Sequence, residues 1–139
     1  MYLSTKDKQL IIDTLKKDIP MLQALYIFGS QNDGTASSKS DVDIAYLTTL
    51  ALNNVERWEL SQKLASLLSH DVDLVELSAT NTIFRYQIIS TAQRIYGEGY
   101  DVENFETLAY SFYLRFQEER KPIVDEIMKN KSILGKVHA

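Results

Sequence analysis

Three short apolar segments constrain the fold more than any other feature of this sequence. They are residues 24–28 (ALYIF), 41–47 (DVDIAYL) and 71–77 (DVDLVEL), and each has the length of a buried strand rather than of a helix. Segments with helical periodicity precede the first, separate the second from the third, and follow the third. This arrangement predicts an α/β domain with a small, mixed, twisted β-sheet and flanking helices.

Capping-box spacings mark where the helices begin. Ser4 with Asp7 and Asn53 with Glu56 have the three-residue separation that closes a helix N-terminus. A short edge strand is expected at residues 94–97. Four helices are expected, at residues 4–20, 53–68, 81–94 and 101–131, the last either continuous or interrupted near Pro122.

Length and composition describe one domain. The chain has 139 residues, 45% of them hydrophobic, with a core expected at about 1–100 and a helical extension at about 101–135.

A net charge of -4 argues against a non-specific nucleic-acid binder, which usually presents a basic patch. The absence of cysteine excludes disulfides and cysteine-ligated metals. The charged N-terminal segment lacks the apolar run of a signal peptide and no stretch has the length of a membrane span, so a cytoplasmic protein is expected.

The Gly29-Ser30 dipeptide directly follows the first predicted strand, and Asp41 and Asp43 open the second after a polar loop at residues 31–40. Glycine allows the backbone to turn tightly and to approach a phosphate closely. Ser30 offers a hydroxyl and a backbone N–H near a helix start, where an anion is favoured. The spacing therefore indicates a phosphate-binding turn beside a pair of carboxylates.

Asp41 and Asp43 share one face of their strand, because side chains alternate along a strand. Two carboxylates so near to each other repel unless a cation lies between them. Mg²⁺ prefers oxygen ligands, and two such ions can hold the attacking and leaving oxygens of a phosphoryl displacement. A third carboxylate can come from the strand at 71–77, where Asp71 and Asp73 also share a face.

Together these segments resemble the nucleotidyltransferase superfamily that has a polymerase-beta-like catalytic core. Its signature is a strand, Gly-Ser, a loop, Asp-x-Asp on the next strand, and a third carboxylate from a later strand. YIFGS, KSDVDIAYL and VDLVEL match it within residues 20–97. The likeness is greatest to the minimal nucleotidyltransferases, or MNT domains, and it implies their small mixed sheet with flanking helices, here with a long C-terminal helix added.

The resemblance implies roles for individual residues. Gly29 and Ser30 would hold the triphosphate of ATP. Two Mg²⁺ ions would be ligated by Asp41, Asp43 and Asp73. Asp73, which matches the family's Asp-Leu-Val strand, would also take the proton of the nucleophile.

Two positions of the implied site stay open. Asp71 is the rival of Asp73 for the third carboxylate, since both lie on one face of the strand. Many relatives also carry an arginine directly after Gly-Ser, whereas this chain continues with residues 31–33, QND. Lys39 is the candidate for the missing phosphate contact.

MNT domains are typically the antitoxin half of HEPN/MNT toxin–antitoxin pairs. The resemblance implies a catalytic antitoxin that transfers AMP from ATP to a tyrosine of a cognate HEPN ribonuclease and so neutralises it. The partners would be that toxin and ATP, with no nucleic acid and no membrane. One alternative is an antitoxin that blocks the toxin by binding alone; another is an antibiotic-type enzyme, although such enzymes usually carry an added acceptor domain.

Three further side chains admit two readings each. Arg85, near the start of the third helix, can contact a phosphate or lie on the surface, and the surface position is favoured. The last helix carries a largely aromatic stripe at spacings of three and four, formed by Phe105, Leu108, Phe112 and Phe116. Tyr110 and Tyr113 fall off this stripe, which makes them candidates for a docking surface as well as for packing.

Overall fold

The computed structural model describes residues 3–29 and 41–138, with side chains described for 3–29, 41–121 and Ile127. The predicted α/β class and mixed sheet are confirmed. In chain order the elements are α1 (Thr5–Asp18), β1 (Leu22–Phe28), β2 (Val42–Thr48), α2 (Asn54–Leu68), β3 (Val72–Glu76), a 3₁₀ turn (Leu77–Ala79), α3 (Thr82–Thr91), β4 (Gln93–Tyr96) and α4 (Tyr100–His138).

Side-chain caps place the N-termini of the first three helices. At α1 the Asp7 backbone N–H donates to the Ser4 hydroxyl at 3.0 Å, and the Ser4 N–H donates to the Asp7 carboxylate at 3.2 Å. The side chains of Asn53 and Asn81 each accept a 2.8 Å bond from the backbone N–H three residues on, at the starts of α2 and α3. Each cap satisfies an N–H group that the helix itself leaves without a partner, which is why these local signals locate the helix starts.

The sheet has the order β3-β2-β1-β4. β1 is antiparallel to β2 and to β4, whereas β2 and β3 are parallel. Val42 and Ile44 of β2 pack with α1 and α2 on one face of the sheet, while Ala45 packs with residues of α3 and α4 on the other. Because side chains alternate along a strand, Asp43 lies on the same face as Ala45.

A partly buried polar network attaches α4 to the sheet. The buried Tyr26 of β1 donates its hydroxyl to Glu106 at 2.8 Å. Arg94 of β4 donates to Glu106 at 3.2 Å and to Glu103 at 3.0 Å. Burial, and then the bond to Glu106, raise the pKa of the Tyr26 phenol well above its usual range, so it stays a proton donor at any physiological pH.

Several predicted boundaries were wrong. β1 begins at Leu22, two residues before its apolar run, because antiparallel pairing extends to Thr48. α3 ends at Thr91 rather than at residue 94, because β4 pairs with β1 from Gln93 onward. α4 ends at His138 rather than at residue 131, and it runs through residue 122 without interruption, which was one of the two alternatives there. Among the described residues, none of the helices combines the length and apolarity that crossing a membrane requires.

Candidate active site

The turn after β1 lies directly against the carboxylate of Asp43. Phe28, the last residue of β1, is the register partner of Asp43 on β2. Gly29 follows with a φ of 71°, a backbone conformation that favours glycine. A Cβ atom added at Gly29 would overlap the Oδ2 atom of Asp43. The backbone conformation therefore favours glycine, and a side chain at this position would displace the carboxylate of Asp43.

The aspartates come together through the parallel pairing of β2 and β3. Asp43 and Asp73 are register partners on these adjacent strands. Asp41 lies one residue before β2 and is exposed, so its position is set by the start of that strand. Asp71 lies just before β3, where its backbone carbonyl accepts a 2.8 Å bond from the N–H of Val42. Asp73, rather than Asp71, is thus the direct cross-strand neighbour of Asp43.

Charge crowding is concentrated on Asp43. Burial, followed by the neighbouring charges of Asp73 and then Asp41, together raise the pKa of the Asp43 carboxyl from its ordinary value of 3.8 to about 6. Each of these causes disfavours the ionised form. A divalent cation bound beside Asp43 would favour that form instead, so the electrostatics of this cluster suit a cation.

The chemistry of this cluster fits Mg²⁺, which takes carboxylate oxygens and retains several waters. In the part of the chain that the structure describes, however, no three His, Cys, Asp or Glu side chains converge into a ready-made metal site. Strand register and their mutual charge interactions relate the carboxylates of Asp41, Asp43 and Asp73. One or two of these carboxylates would suffice to hold Mg²⁺, which completes its coordination with waters and phosphate oxygens. Two of the sequence-predicted site residues, Ser30 and Lys39, lie outside the described residues.

The first turn of α3 also borders this region, which sequence reasoning did not anticipate. The ring of Phe84 meets that of Phe28 edge-on, with centroids 6.0 Å apart. A groove of about 480 Å³ lies beside it, lined by residues of α3 and by Phe116 of α4. In the sequence, the helical spacing of Phe84 with Ile88 predicts only that its side chain faces inward. Its contact with the residue before Gly29 depends on how α3 crosses the sheet.

A second cavity among the described residues is remote from Asp41, Asp43 and Asp73. It measures about 800 Å³ and is lined by Leu22 at the beginning of β1, by β4 and by the start of α4. Leu22 and Phe28 are at opposite ends of the seven-residue strand β1, roughly 20 Å apart at the rise of a strand. Charge and strand register, rather than cavity size, therefore identify the candidate active site.

Tyr110 and Tyr113 form a cluster with Tyr86 of α3. Tyr86 stacks on Tyr113 with centroids 3.7 Å apart and meets Tyr110 edge-on at 5.5 Å. These contacts join α3 to α4, so packing accounts for both tyrosines. Tyr110 is nevertheless 40% exposed to solvent. Neighbouring apolar residues of α4 are similarly exposed, including Leu108 at 42% and Phe112 at 43%. The expected aromatic stripe is thus only partly buried.

Comparison with known proteins agrees with this geometry. Residues 9–101 match the family described as polymerase beta, nucleotidyltransferase. The protein adenylyltransferase MntA of Shewanella oneidensis is 43% identical over 120 residues, which cover 86% of this chain and 86% of that protein.

Solved structures extend the comparison to toxin–antitoxin complexes. A crystal structure of a toxin–antitoxin with AMP-PNP contains a chain that is 42% identical, with a TM-score of 0.79, over 87% of this chain and 98% of that one. The tri-AMPylated Shewanella oneidensis HEPN toxin in complex with its MNT antitoxin contains a chain that is 39% identical, with a TM-score of 0.75, over 88% of this chain and 97% of that one.

Proposed function

This chain belongs to the polymerase beta nucleotidyltransferase family and to its MntA-type antitoxins, and from that premise we propose that it transfers AMP from ATP to a tyrosine hydroxyl of a HEPN toxin, which neutralises the toxin. The observation that carries the proposal is the pairing of Asp43 with Asp73 directly beside the Gly29 turn. An acidic cluster next to a tight turn is suited to a metal-bound triphosphate.

The proposal assigns one task to each part of the site. Gly29, with Ser30 and Lys39, holds the triphosphate of ATP. The carboxylates of Asp41, Asp43 and Asp73 hold Mg²⁺. When bound, Mg²⁺ supplies positive charge that stabilises the phosphate oxygens during transfer.

The reaction is an in-line displacement at the α-phosphorus. The phenolic oxygen of the acceptor tyrosine forms a bond to this phosphorus, and the bond from phosphorus to the oxygen bridging to the β-phosphate breaks. Pyrophosphate leaves, and AMP remains on the tyrosine. A free phenol has a pKa near 10 and is a poor nucleophile while protonated. Asp73 takes the phenolic proton, which makes it the general base.

The toxin as acceptor is supported by the relatives. One of them bears the name protein adenylyltransferase, and another is the MNT antitoxin in complex with an AMPylated HEPN toxin. This chain matches most of the length of both. We infer further that it acts in the cytoplasm, where ATP is abundant and a ribonuclease toxin would find its RNA.

Intact-mass spectrometry of the cognate toxin tests the proposal. After incubation with this protein, ATP and Mg²⁺, the toxin is expected to gain the mass of one or more AMP units on tyrosine. Asp43→Asn should abolish the adduct, whereas Asp71→Asn, the matched control two residues from Asp73, should retain it. A toxin that is neutralised without any gain in mass would contradict transfer and support inhibition by binding alone.

A further inference from the structure

Arg85 of α3 binds the backbone of the segment that connects β3 to α3. Its Nε atom donates to the carbonyl of Leu77 at 2.9 Å. Its Nη2 atom donates to the carbonyls of Ser78 at 3.1 Å and of Thr80 at 2.9 Å. One guanidinium group therefore binds three main-chain carbonyls of the segment between the strand and the helix, and these bonds explain the position of Arg85 without a phosphate.

Only arginine can make this set of bonds. The guanidinium group presents several N–H donors in a fixed plane, whereas the lysine ammonium is a single point of charge on a flexible stem. The guanidinium of Arg85 also lies over the ring of Phe105, 5.8 Å from its centroid, and so contacts α4. The segment that follows β3, the first turn of α3 and the first part of α4 are thus joined at one side chain.

Phe84 links this junction to the candidate active site. It precedes Arg85 in sequence, and its backbone N–H donates to the Asn81 side chain at 2.8 Å. Its ring packs edge-on against Phe28, which is the register partner of Asp43 and the residue before Gly29. A shift in the first turn of α3 would therefore move the ring that supports the end of β1.

We propose that Arg85 is a positioning residue for nucleotide transfer. By binding three carbonyls within residues 77–80 it fixes the first turn of α3, and this turn holds Phe84 against Phe28 at the start of the Gly29 turn. Arg85 acts through Phe84 and contacts no reacting atom. The kinetic part of this inference rests on the proposed function, whereas the structural part does not.

Arg85→Lys keeps the positive charge but loses the planar set of donors. We expect kcat/KM for ATP to fall about tenfold, since misplacing a catalytic group by about 1 Å can cost up to about a hundredfold. KM for the protein acceptor should stay unchanged, because the perturbation is transmitted to the phosphate-binding turn. Phe84→Leu should have a similar effect, and the double variant should be little worse than either single variant, because both changes break one chain of contacts.

Backbone amide hydrogen exchange of the full chain provides a readout that needs no activity. In Arg85→Lys and in Phe84→Leu, amides of residues 26–29 should exchange faster than in the wild type. Arg115→Lys, on an exposed part of α4, is the matched control and should leave both exchange and kinetics unchanged. If the wild-type protein transfers no AMP, the proposed function fails, but exchange at residues 26–29 still decides the role of Arg85.

Unchanged exchange at residues 26–29 together with an unchanged kcat/KM for ATP in Arg85→Lys would overturn the inference. It would also be overturned if Arg85→Lys lowered only the unfolding midpoint, while kinetics measured well below that midpoint matched the wild type. Additive effects of Arg85→Lys and Phe84→Leu would show that the two side chains act separately.

Discussion

The metal-free protein should become more stable when Asp43 is replaced by asparagine. The pKa of Asp43 is raised from 3.8 to about 6, because the carboxyl is partly buried and lies beside Asp73 and Asp41. A raised pKa means that the folded state holds this proton more tightly than the unfolded state does. The folded protein therefore loses stability as the pH rises from about 4 to about 6, and the loss is complete above pH 6.

The size of the effect follows from the shift in pKa. A carboxyl whose pKa moves from near 4 to about 6 represents roughly 3 kcal/mol of interaction against the ionised form. Solvent reaches Asp43 and screens part of this repulsion, so we expect Asp43→Asn to raise the free energy of unfolding by about 1 to 2 kcal/mol at pH 7.5. At pH 4, where Asp43 is largely protonated in the folded protein, the two proteins should differ little.

Urea unfolding in EDTA at pH 4 and at pH 7.5 measures this difference. Asp73→Asn should also stabilise the metal-free protein, because it removes a charge that raises the pKa of Asp43. Asp71→Asn is the control and should have little effect, since Asp71 is not among the groups that shift Asp43. Saturating Mg²⁺ should reverse the order, because a ligand that binds only the folded state at 100 times its Kd stabilises by about 2.7 kcal/mol.

Two results would refute this prediction: an Asp43→Asn variant no more stable than the wild type at pH 7.5 in EDTA, or a gain in stability that is the same at pH 4. Either result would mean that burial and the charges of Asp73 and Asp41 do not disfavour the ionised form of Asp43 in the folded protein.

Three further predictions address the site and its support. Gly29→Ala should abolish AMP transfer and lower the free energy of unfolding by about 1 to 2 kcal/mol from backbone strain alone. The control Gly99→Ala, which also has a positive φ but open space around it, should keep transfer, and equal activities of the two variants would contradict the contact with Asp43. Tyr26→Phe should lower the free energy of unfolding in urea by about 1 to 3 kcal/mol, because Glu106 loses a 2.8 Å hydrogen bond. Glu106→Gln keeps an acceptor oxygen and should lower it less, and a wild-type unfolding midpoint for Tyr26→Phe would refute the network. EDTA should stop AMP transfer, and added Mg²⁺ should restore it. At saturating Mg²⁺, Asp43→Asn should lower the rate of transfer by about a thousandfold or more. Transfer that persists in EDTA would rule out the metal-binding role of the aspartates.

The sequence predicted much of the fold because its signals are local. The pairs of Ser4 with Asp7 and Asn53 with Glu56 locate two helix starts, since a cap involves residues only three positions apart. Boundaries that depend on pairing were less well predicted. The end of α3 was placed at residue 94 because helical periodicity continues into β4, and the competition with strand pairing to β1 is a long-range effect.

The candidate site divides in the same way. Gly29, Asp41 and Asp43 could be selected from the sequence because a tight turn and two alternating carboxylates have a recognisable spacing. The choice between Asp71 and Asp73 as the neighbour of Asp43 could be weighed but not decided there, because both lie on one face of β3. Only the parallel register of β2 and β3 puts Asp73 beside Asp43.

The sequence by itself determined the α/β class, the helix starts and the residues able to bind a metal-bound triphosphate, since each follows from patterns within a few positions of one another. The tertiary structure alone decided the raised pKa of Asp43, the bonds of Arg85 to residues 77–80 and the attachment of α4 through Tyr26. Tyr26 and Glu106 are 80 positions apart. Contacts of that kind depend on how strands and helices pack, which no local pattern specifies.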